Sequence, residues 1–247
     1  MRCLLVVPCF NEAHRWNVGY WAEMLQTPDV DWLFVDDGSS DRTGHLLASL
    51  ESQPNVNVLS LQANRGKGEA IRAGLLHGRN EDSFQHEFIG FMDADGAFRP
   101  SDVERMLRLF AGSTQLREVE ALWSSRVALA GRDIRRSRSR HYLGRLVATF
   151  LSSSHGELPY DTQSGLKFFR AGEMLQACLE TPFATRWMFE IELLIRWRNA
   201  AGRPMRVREE PLEYWRDIGG SSIAGREIPR VALELLTIKR LQFVRNP

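Results

Sequence analysis

The sequence predicts an α/β fold: a mostly parallel sheet flanked by helices, followed by a mixed α+β half. Two observations lead there. Short apolar runs alternate with segments of helical periodicity through the first half, and each run opens at once into a polar loop rich in Asp, Asn or Gly. That alternation is the pattern of βαβ units, whose functional loops lie at the carboxyl ends of the strands.

Taken in order, "CLLVV" is the first strand, closed by "PCFNEA" and followed by the helical "GYWAEML". The second strand "WLFVD" runs into "DDGSSD" and the helix "TGHLLASL"; the third, "VNVLSL", runs into "ANRGKGEA" and "GEAIRAGLL". The fourth, "FIGFMD", ends in "DADGAF" before "VERMLRLF", where Ser101 and Glu104 have the spacing of a capping box. "VEALWSSR" reads as a fifth strand. Beyond it the regular alternation stops: a basic segment "GRDIRRSRSRHYLGR" and the apolar "LVATFL" precede "DTQSGLKFFRAGEM", "FEIELLIRWRNAAG", "MRVREEPLEYW" and "VALELLTIKRLQFV". No flexible linker separates residues 1–123 from 124–247, so the whole chain of 247 residues is expected to be one domain of two halves.

Composition excludes several classes. The chain is 43% hydrophobic and 26% charged, which argues against disorder, and its net charge of +1 provides no global field for nucleic acid. Cys3, Cys9 and Cys178 are an odd set without metal-ligand spacing, expected as buried free thiols in a reducing compartment. The apolar run at the N-terminus is too short for a signal peptide, and no stretch reaches the roughly 20 apolar residues of a membrane span. The expected location is cytoplasmic, either free or peripheral at the membrane face. "IPRVALELLTIKRLQFV" and "LVATFLSS" fit an interfacial helix as well as a core helix.

Asp93 and Asp95 flank Ala94 at the end of a buried strand. Two carboxylates so close repel unless a cation is shared, and the spacing suits one Mg or Mn ion bridging a diphosphate. Asp36 and Asp37 end another strand; Asp37 is read as an acceptor for the ring N–H of a nucleobase, whereas Ser40 and Asp41 are read as a local turn and cap. In "NRGKGEA", Gly66 and Gly68 around Lys67 fit a phosphate-approaching helix start and a plain solvated loop equally, and the P-loop spacing is absent. Of the basic residues, Arg126 at the end of the fifth strand and Arg140 are the expected phosphate ligands, the run Arg132, Arg135, Arg136, Arg138 otherwise making a solvated face. Glu190 and Glu192 lie on different faces of one helix, so one is expected in a site and the other paired with an arginine such as Arg196.

Taken together, "VVPCFNEA", "FVDDGSSDRT", "NRGKGEAIRAG" and "MDADGAF" resemble glycosyltransferase family 2 with the GT-A fold. "SSR", "DTQSGLKFFRA", "WMFEIELL" and "EYWRDIGGSS" extend the resemblance to the dolichyl-phosphate glucosyltransferase and dolichol-phosphate mannose synthase branch, nearer the glucosyl enzymes. The resemblance implies a nucleotide-sugar-binding half (1–123) and an acceptor-binding half (124–247). It places Pro8, Phe10, Glu12, Asp37 and Lys67 around the nucleoside, Asp93 and Asp95 on the metal diphosphate, and Arg126 and Arg140 on the acceptor phosphate. Asp161, Gln163 and Trp215 fall around donor sugar and acceptor. Ser222 stands where the branch commonly has lysine, with Arg216 as the expected substitute contact, and Glu190 stands in place of an aspartate.

The implied reaction is an inverting transfer of a hexose from a UDP- or GDP-sugar, UDP-glucose-like, to a polyprenyl phosphate. If the acceptor were instead a sugar hydroxyl of a polysaccharide or glycolipid, a general base would be required, drawn from Glu190, Glu192 and Asp161. A phosphatase of the haloacid dehalogenase type also uses D-x-D-G after a strand, but after the first strand; a noncatalytic nucleotide-sugar binding module is the remaining alternative.

Overall fold

The computed structural model describes residues 2–80, 86–135, 158–216 and 228–243. Arg136, Arg138, Arg140 and Ser222 lie outside the described residues. Nine strands are described: β1 (Cys3–Cys9), β2 (Val30–Asp36), β3 (Val56–Ser60), β4 (Phe88–Met92), β5 (Ala121–Ser125), β6 (Asp133–Arg135), β7 (Leu166–Arg170), β8 (Val207–Pro211) and β9 (Tyr214–Arg216). The described helices are α1 (Val18–Met24), α2 (Thr43–Leu50), α3 (Lys67–Asn80), α4 (Pro100–Gly112), α5 (Glu173–Leu179), α6 (Phe189–Ala201) and α7 (Ile228–Phe243).

Seven strands form one sheet in the order β3-β2-β1-β4-β7-β5-β8, and β6 pairs with β9 in a small parallel ribbon. β1 through β4 are mutually parallel, as their alternation with helices predicts. β7 enters antiparallel between β4 and β5, so the fifth strand of the sequence is not the fourth strand's neighbour. The central strands are buried on both faces. In β1, Cys3, Leu5, Val7 and Cys9 join one apolar cluster with Trp21, Trp32 and Phe34, while Leu4 and Val6 join another with Phe91, Trp123 and Phe189. That two-sided burial explains a continuous apolar run rather than an alternating one. All three cysteines are buried free thiols.

Register sets the site. β1 and β2 end level, Cys9 opposite Asp36, and Asp37 N–H donates to the Cys9 carbonyl at 2.8 Å. β4 runs beside β1 as far as Val6 opposite Phe91, and just beyond its end Asp93 N–H is held by the Gly165 carbonyl at 2.9 Å. One local expectation fails: α4 begins with Pro100 in its first turn and Arg99 as N-cap without a side-chain bond, so Ser101 and Glu104 make no capping box. Proline needs no amide partner in the first turn and starts the helix two residues too early for Ser101 to cap it. Asp41 does what a turn residue should, accepting Thr43 N–H at 2.9 Å just ahead of α2. Among the described residues no helix is long and apolar enough to cross a membrane.

Candidate active site

The loops after β1, β2 and β4, together with the starts of α3 and α6, enclose a cleft of about 380 Å³. Its lining includes Pro8, Phe10, Glu12, Asp37, Lys67, Asp93, Ala94 and Asp95, which gathers in one place all the residues expected at the nucleoside and metal diphosphate. Arg15, Asn64, Arg186 and Trp187 line it too, none of them a candidate from the sequence. Phe10 is exposed at the rim, whereas most of the chain's aromatic rings are in the core.

Asp93 and Asp95 stand under mutual repulsion. Burial first, and then the charge of Asp93, push the Asp95 carboxyl up to about 6, against the pull of the Ala97 N–H, Lys67 and Arg15. Lys67 supplies part of the missing positive charge: its Nζ is 2.6 Å from Asp93 Oδ1, with both side chains 29% exposed. Burial opposes the charge on Lys67, but Asp93, Glu190 and Asp95 outweigh it and hold the ammonium above its ordinary range. Arg15 forks onto Glu12, lines the same cleft and is near enough to Asp95 and Asp93 for their charges to favour its own.

These two carboxylates fit a hard divalent cation in donor type and in their unbalanced charge. Among the described residues no cluster of three or more His, Cys, Asp or Glu side chains completes a cage. Such an ion would draw its other oxygens from water and from a ligand's phosphates, a usual arrangement for Mg.

Asp37 has a more structural task than expected. Its two oxygens accept Arg65 N–H and Gly66 N–H at 2.8 Å each, tying the 64–67 loop to the end of β2 while its carboxylate still borders the cleft. Burial pushes its carboxyl up and those two N–H groups pull it back. Gly66 needs its φ of 94°, and a side chain there would strike the Arg186 guanidinium.

The residues expected around the donor sugar and acceptor, Arg126, Asp161, Gln163 and Trp215, are not among those lining the cleft. Arg126 leaves β5 and makes a two-pronged ion pair with Asp161, Nε to Oδ2 at 2.8 Å and Nη2 to Oδ1 at 2.7 Å, its guanidinium carbon 5.2 Å from the Trp215 ring centroid. Trp215 itself is packed in the core. Gln163 Nε2 reaches the Trp187 carbonyl at 3.4 Å. Arg216 pairs with Asp133 at 3.2 Å on the β6–β9 ribbon and does not line the cleft. Arg132 and Arg135 pair with Glu213 and Asp133, which suits a solvated face.

Glu190 and Glu192 point apart, as their spacing requires. Glu192 binds Arg196 at 2.7 Å and the backbone of Ala184 and Thr185. Glu190 is buried 3.3 Å from Lys167 Nζ, and burial pushes its carboxyl up despite Lys167 and Lys67. Lys167, on β7, has no role assigned from the sequence: wholly buried between the Phe91 and Trp123 rings, it donates to the carbonyls of Thr162 and Ser164 at 3.0 and 2.5 Å. It thereby holds the 161–165 loop, which supports Asp93 through Gly165 and Arg126 through Asp161. Gly165 is needed for close approach, since a Cβ there would overlap the Asp93 carboxylate.

Comparison with known proteins agrees with this architecture. The model for "Glycosyl transferase family 2" matches residues 4–115. A dolichyl-phosphate beta-glucosyltransferase of Trichomonas vaginalis is 30% identical, covering 94% of this chain and 69% of that one. Among solved structures, glucosyl-3-phosphoglycerate synthase from Mycobacterium tuberculosis, in complex with Mn2+, UDP and glucosyl-3-phosphoglycerate, superposes with a TM-score of 0.69 at 18% identity, over 96% of this chain and 78% of that one. A mannosyltransferase from Pyrobaculum calidifontis in complex with GDP-Man and Mn2+ gives 0.64 at 16% identity, over 100% and 65%. The fold is GT-A, and the chain is a hexosyltransferase that belongs to glycosyltransferase family 2.

Proposed function

We propose that this enzyme transfers a hexose, glucose in first place, from a nucleoside diphosphate sugar to a polyprenyl phosphate, with inversion at the anomeric carbon and with a divalent cation. The observation that carries the reading is the cleft in which Asp93 and Asp95 face Lys67, Arg15 and Arg186. Paired carboxylates beside three cations suit a metal-bound diphosphate better than a neutral ligand. The curated relative named above is a dolichyl-phosphate enzyme, which supports the acceptor class.

Asp93 and Asp95 would hold the Mg or Mn ion, which when bound supplies positive charge against the departing nucleoside diphosphate. Lys67 then turns from a counter-ion for Asp93 toward the phosphates, and Phe10 and Asp37 border the nucleoside. Arg126, set by Asp161 and backed by Trp215, presents its guanidinium to the acceptor phosphate; Arg140 joins it in this assignment. A phosphate monoester is already largely ionised near neutral pH, since its second pKa is about 6, so the acceptor needs placing more than deprotonating. Glu190 and Glu192, which would have to serve a hydroxyl acceptor as base, are buried against Lys167 and Arg196 and are not among the residues lining the cleft. This favours the phosphate acceptor.

The test is incubation with UDP-glucose or GDP-mannose, Mn, and either a polyprenyl phosphate or the corresponding polyprenol, following nucleoside diphosphate release and the anomeric configuration of the product by NMR. Transfer of inverted sugar to the phosphate alone is expected. Transfer to the alcohol, or a product of retained configuration, contradicts it.

A further inference from the structure

Five consecutive backbone N–H groups ahead of α6 end on two carboxylates. Ala184 and Thr185 donate to Glu192 at 3.1 and 3.0 Å, and Arg186, Trp187 and Met188 donate to Glu234 at 3.0, 2.9 and 3.1 Å. Only Met188, the N-cap residue of α6, stands at the helix start; the other four donors lie in the segment leading into it, so the two carboxylates fix the backbone of that segment. Glu192 lies in the first turns of α6 itself. Glu234 belongs to α7, some 46 residues further along the chain, and is buried where α7 packs on α6 through Ile238, Met188, Ile191 and Ile195.

The segment that Glu234 holds carries two cleft residues, Arg186 and Trp187. Arg186 lies across Gly66, and its Nη2 donates to Asn64 Oδ1 at 2.5 Å. Its charge is near enough to Asp37 to favour that carboxylate. The guanidinium is thus fixed from three sides, by Glu234 through its own backbone, by Asn64 and by the bare backbone of Gly66, and it borders the same space as Lys67 and Asp93.

We infer that Arg186 is a donor-binding residue, its guanidinium taking an anionic oxygen of the nucleoside diphosphate, and that Glu234 is the positioning residue that sets Arg186 from the C-terminal helix. The assignment rests on the reading of this cleft as the nucleotide-sugar site. It ties donor affinity to a helix whose opposite side exposes Leu233 and Leu236, 63% and 55% accessible.

Calorimetric titration with UDP and with GDP in the presence of Mn tests it, on wild type, Arg186→Ala, Glu234→Gln, Glu234→Asp, Asp93→Asn and the control Leu233→Ser, together with kcat and donor KM. Arg186→Ala is expected to weaken binding of the preferred nucleotide about tenfold or more and Glu234→Gln about five- to tenfold, a change in donor KM rather than in kcat. Glu234→Asp should recover part of the loss, Leu233→Ser should change nothing, and adding Glu234→Gln to Arg186→Ala should cost no more than Arg186→Ala alone. Arg186 is partly exposed, so its variant decides the first half of the inference even if Glu234→Gln melts early. Wild-type affinity in Arg186→Ala alongside lost affinity in Asp93→Asn overturns the inference and leaves the cleft assignment standing. Additive losses overturn the positioning role of Glu234. Failure of wild type to bind either nucleotide overturns the cleft assignment and this inference with it.

Discussion

Lys67 Nζ lies 2.6 Å from Asp93 Oδ1, so the start of α3 and the end of β4 are joined by an ion pair across the cleft. The pair holds in place a lysine that a bound diphosphate would attract and an aspartate that a bound cation would attract. Lys67→Met should therefore raise donor KM about tenfold to a hundredfold, with the fold intact by circular dichroism. An unchanged KM would remove Lys67 from the donor site.

The burial of Asp95, together with its repulsion by Asp93, has a cost in stability. Its carboxyl titrates at about 6 in the folded protein against an ordinary 3.8, so between these values the folded state binds more protons than the unfolded state. The penalty is full above pH 6 and is relieved as pH falls toward 4. In metal-free protein, Asp95→Asn should raise Tm by a few degrees at pH 7.5, corresponding to about 1–2 kcal/mol, and by about half as much at pH 5. The same variant should lose transfer activity by about a hundredfold or more. Calorimetric melts at the two pH values check the sign.

Lys167 and Glu190 form a pair with no room for one partner alone. Lys167→Met should cost about 3–5 kcal/mol in urea unfolding, because it leaves Glu190 buried without its counter-charge. The double variant Lys167→Met, Glu190→Gln should be more stable than Lys167→Met, since neither charge is then stranded. Equal costs would mean that the two groups act independently.

Gly165 lies directly against the Asp93 carboxylate, where a Cβ would overlap it. Gly165→Ala adds one carbon against Asp93 and should weaken Mn and donor binding at least tenfold, leaving acceptor KM within about twofold. Steady-state kinetics in both substrates separates the two effects.

The parallel half of the fold was legible because strands buried on both faces leave continuous apolar runs, and each site loop follows such a run directly. Asp37 and Asp93 follow from that order, whereas Pro8, Phe10 and Glu12 follow only from the resemblance to the family, and Lys67 reads equally as a solvated loop residue until that resemblance is added. β7 was not legible as a neighbour of β4, since an antiparallel strand inserted from late in the chain has no local mark of its partners. Arg186 and Trp187 were missed for a related reason: their place depends on Glu234, on a helix whose sequence reads equally as core or as interface. Lys167 looked like one charge in an apolar strand, and only the rings of Phe91 and Trp123 and the carbonyls of Thr162 and Ser164 give it a task. Arg15 carried a sequence signal, standing three residues from Glu12 just after a strand end, a spacing that lets the two pair.

The central claim is that Asp93 and Asp95 hold a divalent cation together with the donor's diphosphate. Electron paramagnetic resonance of Mn2+ titrated with enzyme, with and without UDP or GDP, tests it directly. One bound Mn2+ per chain is expected when nucleotide is present, falling by about tenfold or more in affinity in Asp93→Asn and again in Asp95→Asn. Nucleotide-dependent Mn2+ binding that survives undiminished in the double variant would contradict the account.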